Sequence, residues 1–532
     1  MMAPIVPLLA AALATAQAPS GPVPLFTNLG EHHMPITTTV PKVQDYFNQG
    51  IRLTYGFNHA EAIRAFAQGA RLDPQCAMCY WGVALAYGPN INAPMDSASG
   101  VEAFRAVQRA EQLVTALSPR ERAYVAALAR RYAAVPPSDR AVLDSSYARA
   151  MGDVARRHPD DLDAQVIYAD ALMNLSPWNY WRPDATPRPD TPELLSRLEG
   201  VLARNPDHPG ACHLFIHAVE AVHAERAVTC AERLAGLMPG AGHVVHMPAH
   251  IYIRVGRFND AIEINQHAVH ADETYFEGPS VGRMSLYGQG YAPHNWHFMT
   301  FAAVMAGRGA LALDAARRTS DAIAPEMART EPLAEAILPT AVLTMVSFAR
   351  WDAILNQPLP DPALGFASGM SWYARGIAFA ATGRFAEARA AVDSVARAAA
   401  GYPMPEMKKA LEVARQAVRA EIALRQGSLD EAVRLFRGAV ELEDAIGYME
   451  PPWWHYPMRH SLGKALLAVG RAVEAEREYR ADLVRFPQNG WSLFGLASSL
   501  EAQQKTAEAA EVAEQFRKAW MRSDVRLTAS RF

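Results

Sequence analysis

A short turn signature that recurs between helical segments constrains the fold of this chain more than any other feature. It reads Gly-x-x-x-Glu-Ala and stands at 383–388, 427–432 and 470–475. The flanking segments are rich in Ala, Leu, Arg and Glu, and their apolar residues recur at steps of three and four, the period of an amphipathic helix. Two helices joined by a tight turn cannot bury their apolar faces alone. We therefore predict an all-α chain of stacked helical hairpins.

The hairpin units are about 34 residues long, which is the length of a tetratricopeptide repeat. Residues 46–72 form one such unit, in which the segment 58–62 begins the second helix. Loops rich in Trp, Tyr, Gly and Pro are inserted at 176–191 and 275–293. Such loops are common where a repeat protein builds a site. We predict a superhelical tetratricopeptide-like array with inserted loops.

The N-terminus reads as a signal peptide. Residues 5–16 are almost wholly apolar, and Ala16-Gln17-Ala18 is a small-x-small cleavage site. The preceding residues lack Lys and Arg, so a buried N-terminal helix is the alternative. We predict a signal peptide over 1–18 and a periplasmic or secreted mature protein. No later apolar run is long enough to span a membrane.

The mature chain is expected to divide at a Pro-rich segment, 352–369. This junction predicts an N-terminal repeat array over 19–351, which carries the candidate metal site described below. A C-terminal repeat array then occupies 352–532.

Charge and cysteine content limit the partners and the compartment. The formal net charge of −4, without a basic block, argues against nucleic acid as a partner. Cys76 and Cys79 form a C-x-x-C, for which we favour a local disulfide over free thiols or a metal or redox role. Cys212 and Cys230 are spaced like facing positions of a helical hairpin. Four cysteines fit an oxidising compartment.

Histidines are concentrated in one part of the chain. Of 17 histidines, 11 lie between His208 and His297. At spacings of three or four residues on a predicted helix, side chains point the same way, as ligands of one metal ion must. We predict metal binding by the three pairs at these spacings, which are His213 and His217, His246 and His250, and His294 and His297.

The number of histidines leaves the nuclearity of the site open. Imidazole ligands suit copper, zinc, iron or nickel. Six histidines exceed the needs of one tetrahedral ion, so two three-histidine sites and one mononuclear site with supporting histidines are both open. A buried polar network is the alternative without metal. We expect one or two copper ions in an extracytoplasmic protein, with zinc or iron as alternatives. The reserve ligands or supporting groups are His243, Glu220, His59 and Arg254.

Aromatic side chains accompany the histidines. A pocket lined by such rings beside polar groups suits an apolar or aromatic small molecule. The alternative is ordinary packing, because repeat helices of this kind routinely bury Trp and Tyr. The expected pocket residues are Trp81, Trp178, Trp181 and Tyr252.

The chain resembles a family of secreted bacterial tetratricopeptide-repeat proteins. The resemblance spans most of the mature chain and implies an all-α repeat fold. A fainter likeness is to copper-dependent tetratricopeptide-repeat oxygenase-cyclases, which implies copper and oxygen chemistry without assigning ligands. The segments that carry the first resemblance are 58–62, 79–82, 88–92, 246–252, 293–298, 450–452 and 489–494.

These observations support a histidine-ligated copper oxidoreductase or oxygenase that acts on a small apolar or aromatic molecule. A hydrolytic zinc or iron enzyme, with Glu220 as base or ligand, is the nearest enzymatic alternative. A binding scaffold for a peptide or protein, with structural histidines, is the alternative from another class. Metal storage or delivery would share the ligands without turnover.

Overall fold

Helical hairpins build the protein from Pro41 to Ala519, as the turn signature predicts. The computed structural model describes residues 23–532, so the predicted signal peptide lies outside the described residues. Within that range no strand forms, and the only β-type pairings are isolated bridges of Asn90 with Ala93 and of Trp181 with Pro187. The predicted all-α, tetratricopeptide-like repeat fold with inserted loops is confirmed.

Contacts between Cα atoms divide the chain into two units whose segments alternate along the sequence. The first unit comprises the described residues up to Ile251 together with Gln266–Ala292. The second unit comprises Tyr252–Asn265 and Pro293–Phe532. The predicted division into arrays over 19–351 and 352–532 stays a prediction.

The α-helices that lie wholly in the first unit are Pro41–Tyr55, His59–Leu72, Ala77–Tyr87, Ser97–Gln112, Pro119–Leu128, Ala141–Arg157, Leu162–Met173, Thr191–Arg204, Pro209–Val219, Val228–Leu237 and Gly242–His246. Short 3-10 turns occupy Val114–Ala116, Ala129–Arg131 and Ala224–Ala227, and a π-helical turn occupies Tyr287–Tyr291. Three helices contain a boundary between the units, namely Pro248–Arg254, Phe258–Glu277 and Ala292–Met305. The second unit adds Gly309–Asp321, Pro325–Thr330, Pro332–Ile337, Thr340–Ser347, Trp351–Asn356, Gly365–Ala381, Phe385–Ala400, Pro405–Arg425, Leu429–Asp444, Met458–Ala468, Ala472–Arg485, Gly490–Ala502 and Thr506–Ala519.

The recurrent turn depends on a glycine in the left-handed region. Gly383, Gly427 and Gly470 have φ angles of 78°, 80° and 76°, which residues with a Cβ rarely adopt. The N–H of the next residue donates back into the preceding helix, as from Arg384 to the Phe379 carbonyl oxygen at 2.8 Å. This bond closes the C-terminus of a helix in the Schellman manner. Glycine therefore ends one helix and allows the next to start at once.

Glycines inside the helices let an aromatic ring pack between two neighbouring helices. The buried Phe66 ring lies between Gly50 and Gly82, where added Cβ atoms would stand 2.5 and 2.4 Å from it. A Cβ at either position would therefore force the helices apart. The second unit repeats this arrangement around another buried ring, with Tyr479 between Gly463 and Gly495.

Gly82→Ala is expected to destabilise the protein, because the new methyl group meets a fully buried ring. Overpacking of a core by a methyl group lowers the free energy of unfolding by about 1–3 kcal/mol. The matched control is Gly200→Ala, where a Cβ meets nothing within 4 Å and helix propensity should stabilise by up to about 1 kcal/mol. Urea unfolding followed by Trp fluorescence measures both changes. Equal effects of the two substitutions would contradict this account of the packing.

The cysteines behave differently in their two pairs. Cys76 and Cys79 form a disulfide, so the predicted local bridge is confirmed. Cys212 and Cys230 are buried free thiols, and the Cys212 thiol donates to the Pro206 carbonyl oxygen at 3.6 Å. Across residues 23–532, no helix is both long and apolar enough to cross a membrane.

Candidate metal centre

Two of the predicted ligands lie on one fully buried helix, Pro209–Val219. Its start follows from local sequence, because Pro209 occupies the first turn and His208 caps it by accepting the Ala211 N–H at Nδ1, 3.2 Å away. His213 and His217 then stand four residues apart on the same face. Their ring centroids are 4.9 Å apart. The predicted pairing of these two histidines is therefore present in the structure.

The hydrogen bonds of both rings determine which nitrogen can bind a metal. His213 donates from Nδ1 to the Tyr55 carbonyl oxygen at 2.6 Å. His217 donates from Nδ1 to Glu220 Oε1 at 3.1 Å. With the proton on Nδ1, Nε2 of each neutral ring carries a lone pair. Both Nε2 atoms are buried, and within residues 23–532 neither has a hydrogen-bond partner.

Both histidines are held in the neutral form that binds metal ions. Burial puts the pKa of His213 well below its usual range, and the neighbouring His217 lowers it further. Burial also lowers the pKa of His217, against the opposing effect of the Glu220 charge. A neutral imidazole is the ligand form of this side chain.

His243 completes a group of three rings. It lies on the short helix Gly242–His246, and its backbone N–H donates to the Tyr287 hydroxyl at 3.0 Å. That hydroxyl donates in turn to Asp272 Oδ1 at 2.7 Å. One ligand nitrogen from each of His213, His217 and His243 lies within 4.8 Å of the other two. We call these residues the three-histidine group.

Glu220 connects the three-histidine group to two further histidines. Its Oε2 lies 2.5 Å from Nδ1 of His250, while its Oε1 accepts from His217. Nε2 of His250 lies 2.9 Å from Nε2 of His246. All these side chains are at most 3% exposed. Burial alone would raise the pKa of Glu220, but His250 and His217 lower it to about 2, so the carboxylate is ionised.

A third cluster joins His32, Asp163 and His208, whose contacts converge on one carboxylate oxygen. His208 accepts at Nδ1, so its proton is on Nε2, which faces Asp163 Oδ1 at 3.5 Å. His32 Nε2 and the Tyr55 hydroxyl contact the same oxygen at 2.9 and 2.7 Å. Burial would raise the pKa of Asp163, yet its bonds to His208 and His32 lower it strongly. This cluster therefore positions Tyr55, whose carbonyl orients His213, and lacks a free lone pair on His208.

Aromatic rings surround the three-histidine group. The Phe57 centroid is 4.4 Å from that of His213 and 5.6 Å from that of His243. The Trp178 ring meets His217 edge-on at 5.1 Å, and the Tyr291 ring lies 4.4 Å from His243. Trp178 was predicted to line a pocket, whereas Phe57 and Tyr291 were not identified from the sequence.

Phe57 carries a signal that the turn pattern could have revealed. It has φ of 56° and takes the turn position that glycine holds at Gly383, Gly427 and Gly470. An aromatic residue in this region is strained by about 1–2 kcal/mol. The residue with this strained backbone is the one whose ring packs on the three-histidine group.

The remaining predicted residues lie elsewhere. His59 lines a cavity of about 30 Å³ with Phe57, Arg131 and Asp170. Trp81 is fully buried and donates from Nε1 to the Tyr124 carbonyl oxygen at 3.2 Å, which is a packing position. Trp181 donates to the Ala218 carbonyl oxygen at 2.7 Å and lines a surface pocket. The residues that belong to the second unit are Tyr252, Arg254, His294 and His297, and their predicted roles stay predictions.

The half-buried His59 predicts a stability that falls on acidification. Burial, followed by the charge of Arg131, lowers the pKa of His59 to about 4, against about 6.5 in an unfolded chain. Between these two pH values the His59 side chain is protonated in the unfolded chain but neutral in the folded protein. The folded protein therefore keeps its full stability above about pH 6.5 and loses the His59 contribution as the pH falls towards 4. Its size is about 3 kcal/mol at a slope of about 1.4 kcal/mol per pH unit.

Urea unfolding of the metal-free protein between pH 4.5 and 7 measures this slope. We expect His59→Gln to reduce the slope by about one proton, and the exposed His270→Gln to leave it unchanged. If His59→Gln left the dependence of the unfolding free energy on pH unchanged, the pKa of His59 would be the same in the folded and the unfolded protein.

Comparison with known proteins finds remote structural likenesses and no sequence relative. No protein-family model and no curated protein matches the sequence. The human IFIT1 dimer with m7Gppp-AAAA is similar over 91% of this chain and 91% of its own, with 12% identity and a TM-score of 0.30. Yeast Tom70 is similar over 90% of this chain and 92% of its own, with 12% identity and a TM-score of 0.31. The fold assignment rests on the hairpins themselves.

Proposed function

We propose that the three-histidine group binds a copper ion and that the protein is an extracytoplasmic oxidoreductase or oxygenase acting on a small apolar or aromatic molecule. One observation carries the proposal. Nε2 of His213 and of His217 are both buried without a partner among the described residues, while their Nδ1 protons are engaged by Tyr55 and Glu220. Metal-ligating histidines are oriented in this way, by a carbonyl or carboxylate at the other ring nitrogen.

The charge balance also favours a cation at this place. Glu220 is 0% exposed and ionised, and the strongest interactions on its charge are with His250 and His217. Burial keeps His217 neutral. A buried carboxylate is favourable only where hydrogen bonds and positive charge offset its loss of hydration. A metal ion bound at Nε2 of His217 would supply positive charge on the far side of the ring that Glu220 holds.

The choice of copper rests on the donor set and on the compartment. Three imidazoles without a thiolate suit copper, zinc, iron or nickel, and copper(II) binds such ligands most tightly among the divalent ions of this series. The disulfide of Cys76 with Cys79 fits the oxidising compartment that the N-terminal segment predicts. When bound, copper supplies one-electron redox chemistry with O₂.

The chain's own residues would orient the ligands and restrict the surroundings of the ion. The Tyr55 carbonyl and Glu220 fix the tautomers of His213 and His217. Phe57, Trp178 and Tyr291 place apolar ring surface around the three imidazoles. Such surroundings favour an apolar or aromatic substrate over a charged one and exclude bulk water from the ion.

The test is elemental analysis of protein purified without a metal-affinity step, combined with O₂ uptake driven by ascorbate. Stoichiometric copper and O₂ consumption would support the proposal. Copper without turnover would indicate storage or delivery, and zinc or iron would redirect the search to hydrolysis or to another oxidation. A protein that binds no metal after reconstitution would be a scaffold with a histidine-rich core, and the proposal would fail.

A further inference from the structure

His246 and His250 face each other through the nitrogens that would bind a metal ion. Their Nε2 atoms are 2.9 Å apart, and their ring planes are inclined at 77°. Met247 separates the two short helices that carry them, Gly242–His246 and Pro248–Arg254. Both side chains are buried, with 0% and 2% exposure. We call these residues the histidine pair.

Glu220 contacts His250 as well as His217. Nδ1 of His250 lies 2.5 Å from Glu220 Oε2, and Nδ1 of His217 lies 3.1 Å from Oε1 of the same carboxylate. The other ring nitrogen of His250, Nε2, faces His246. Glu220 thus contacts both rings at Nδ1, and Nε2 of each ring lies on the side away from the carboxylate.

We infer that the histidine pair holds a second metal ion and that Glu220 orients one ligand of each ion. The inference rests on the proposed function in one respect, namely that His217 binds the first ion. Two nitrogens 2.9 Å apart and each about 2.0 Å from a shared ion subtend about 90° at it. This angle suits neighbouring positions in tetragonal copper(II) coordination.

The same contact has a simpler explanation, which the test must separate from metal binding. In metal-free protein, His246 can donate a proton from Nε2 to the His250 lone pair at this distance. A neutral hydrogen bond of this kind would need no ion. The two explanations differ in the number of ions bound and in which substitution removes each one.

The experiment is a titration of the chelator-treated full chain with copper(II) alone, followed by gel filtration and metal analysis. We expect about two ions per wild-type chain, about one in His246→Ala, about one in His213→Ala and none in the double variant. His250→Gln keeps an N–H for Glu220 but lacks Nε2, and it replaces His246→Ala if that variant does not fold. The control is His460→Asn, a change at a buried histidine of the second unit whose Nε2 lies 2.9 Å from Asp482 Oδ2, and it should keep both ions.

Failure of this inference and failure of the proposed function give different results. One ion in the wild type, kept in His246→Ala and lost in His213→Ala, would overturn the second site and leave the first intact. One ion kept in His213→Ala and lost in His246→Ala would overturn the three-histidine site and leave the histidine pair. The electron paramagnetic resonance spectrum of His246→Ala should match that of the ion that His213→Ala removes.

Discussion

His213→Ala is expected to lose metal binding by the three-histidine group while leaving the Glu220 contacts in place. The substitution removes one of three converging nitrogens, whereas the contacts of His217 and His250 with the carboxylate do not involve His213. Loss of a residue that merely supports a ligand lowers metal affinity roughly 10–100-fold. Loss of the ligand itself should therefore exceed roughly 100-fold. Competition with a chelator of known affinity measures the change.

Two further variants make this result interpretable. His213→Gln fills more of the buried space and should lose metal binding as well, so a folding defect of the Ala variant would not hide the effect. His460→Asn changes another buried histidine, whose Nε2 lies 2.9 Å from Asp482 Oδ2 in the second unit, and should keep the metal. Retention of copper in both His213 variants would exclude His213 as a ligand.

Glu220→Gln is expected to weaken both metal positions. The carboxylate accepts from His217 at Oε1 and lies 2.5 Å from Nδ1 of His250 at Oε2, whereas a carboxamide is neutral and would place its NH₂ group against one of the two rings. One histidine must therefore turn or lose its partner. We expect a fall of about 10–100-fold in copper affinity at one or both positions, measured by competition titration of the metal-free protein.

The effect of Glu220 can be separated from general loss of stability. Glu220→Asp keeps the charge on a shorter side chain and should restore part of the affinity that Glu220→Gln loses. Glu225→Gln removes an exposed carboxylate a few residues away and should change nothing. If Glu220→Gln binds copper as tightly as the wild type, the carboxylate does not orient these ligands.

The repeat fold is readable from sequence because its determinants are local. The period of the apolar residues and the left-handed glycines at Gly383, Gly427 and Gly470 act within a few residues of each other. The rule breaks at the first hairpin, where Phe57 holds the glycine position. Its ring packs on histidines more than a hundred residues away in sequence, a contact that no local pattern encodes.

The sequence predicts the candidate site only where a single helix carries two of its ligands. His213 and His217 share one helix, so their spacing alone brings their rings together. His243 stands three residues before His246, and the sequence predicts it only as a reserve ligand. Its ring instead lies 5.0 Å from that of His213 on another helix. That approach depends on the packing of two helices, and the spacing within one helix does not determine it.

The roles of the aromatic residues are the hardest to predict from the sequence, because core packing and ligand binding use the same residue types. Trp81 was assigned to the pocket, but it packs between Phe47 and Tyr124 within the helices. Its neighbour Gly82 marks that packing role, since it admits the Phe66 ring. Trp178 looks no different in sequence, yet its ring contacts His217.

The alternation of the two units along the chain bears on the order in which the protein is made. A nascent chain that has reached Ile251 contains every histidine of the three-histidine group and of the histidine pair. It still lacks Gln266–Ala292, which returns to the first unit and brings the Tyr287 hydroxyl to the His243 backbone. Residues Tyr252–Asn265, which belong to the second unit, must therefore be synthesised before the first unit can be completed. Cleavage at Ile251 would release a fragment with all the ligands and an unfinished centre.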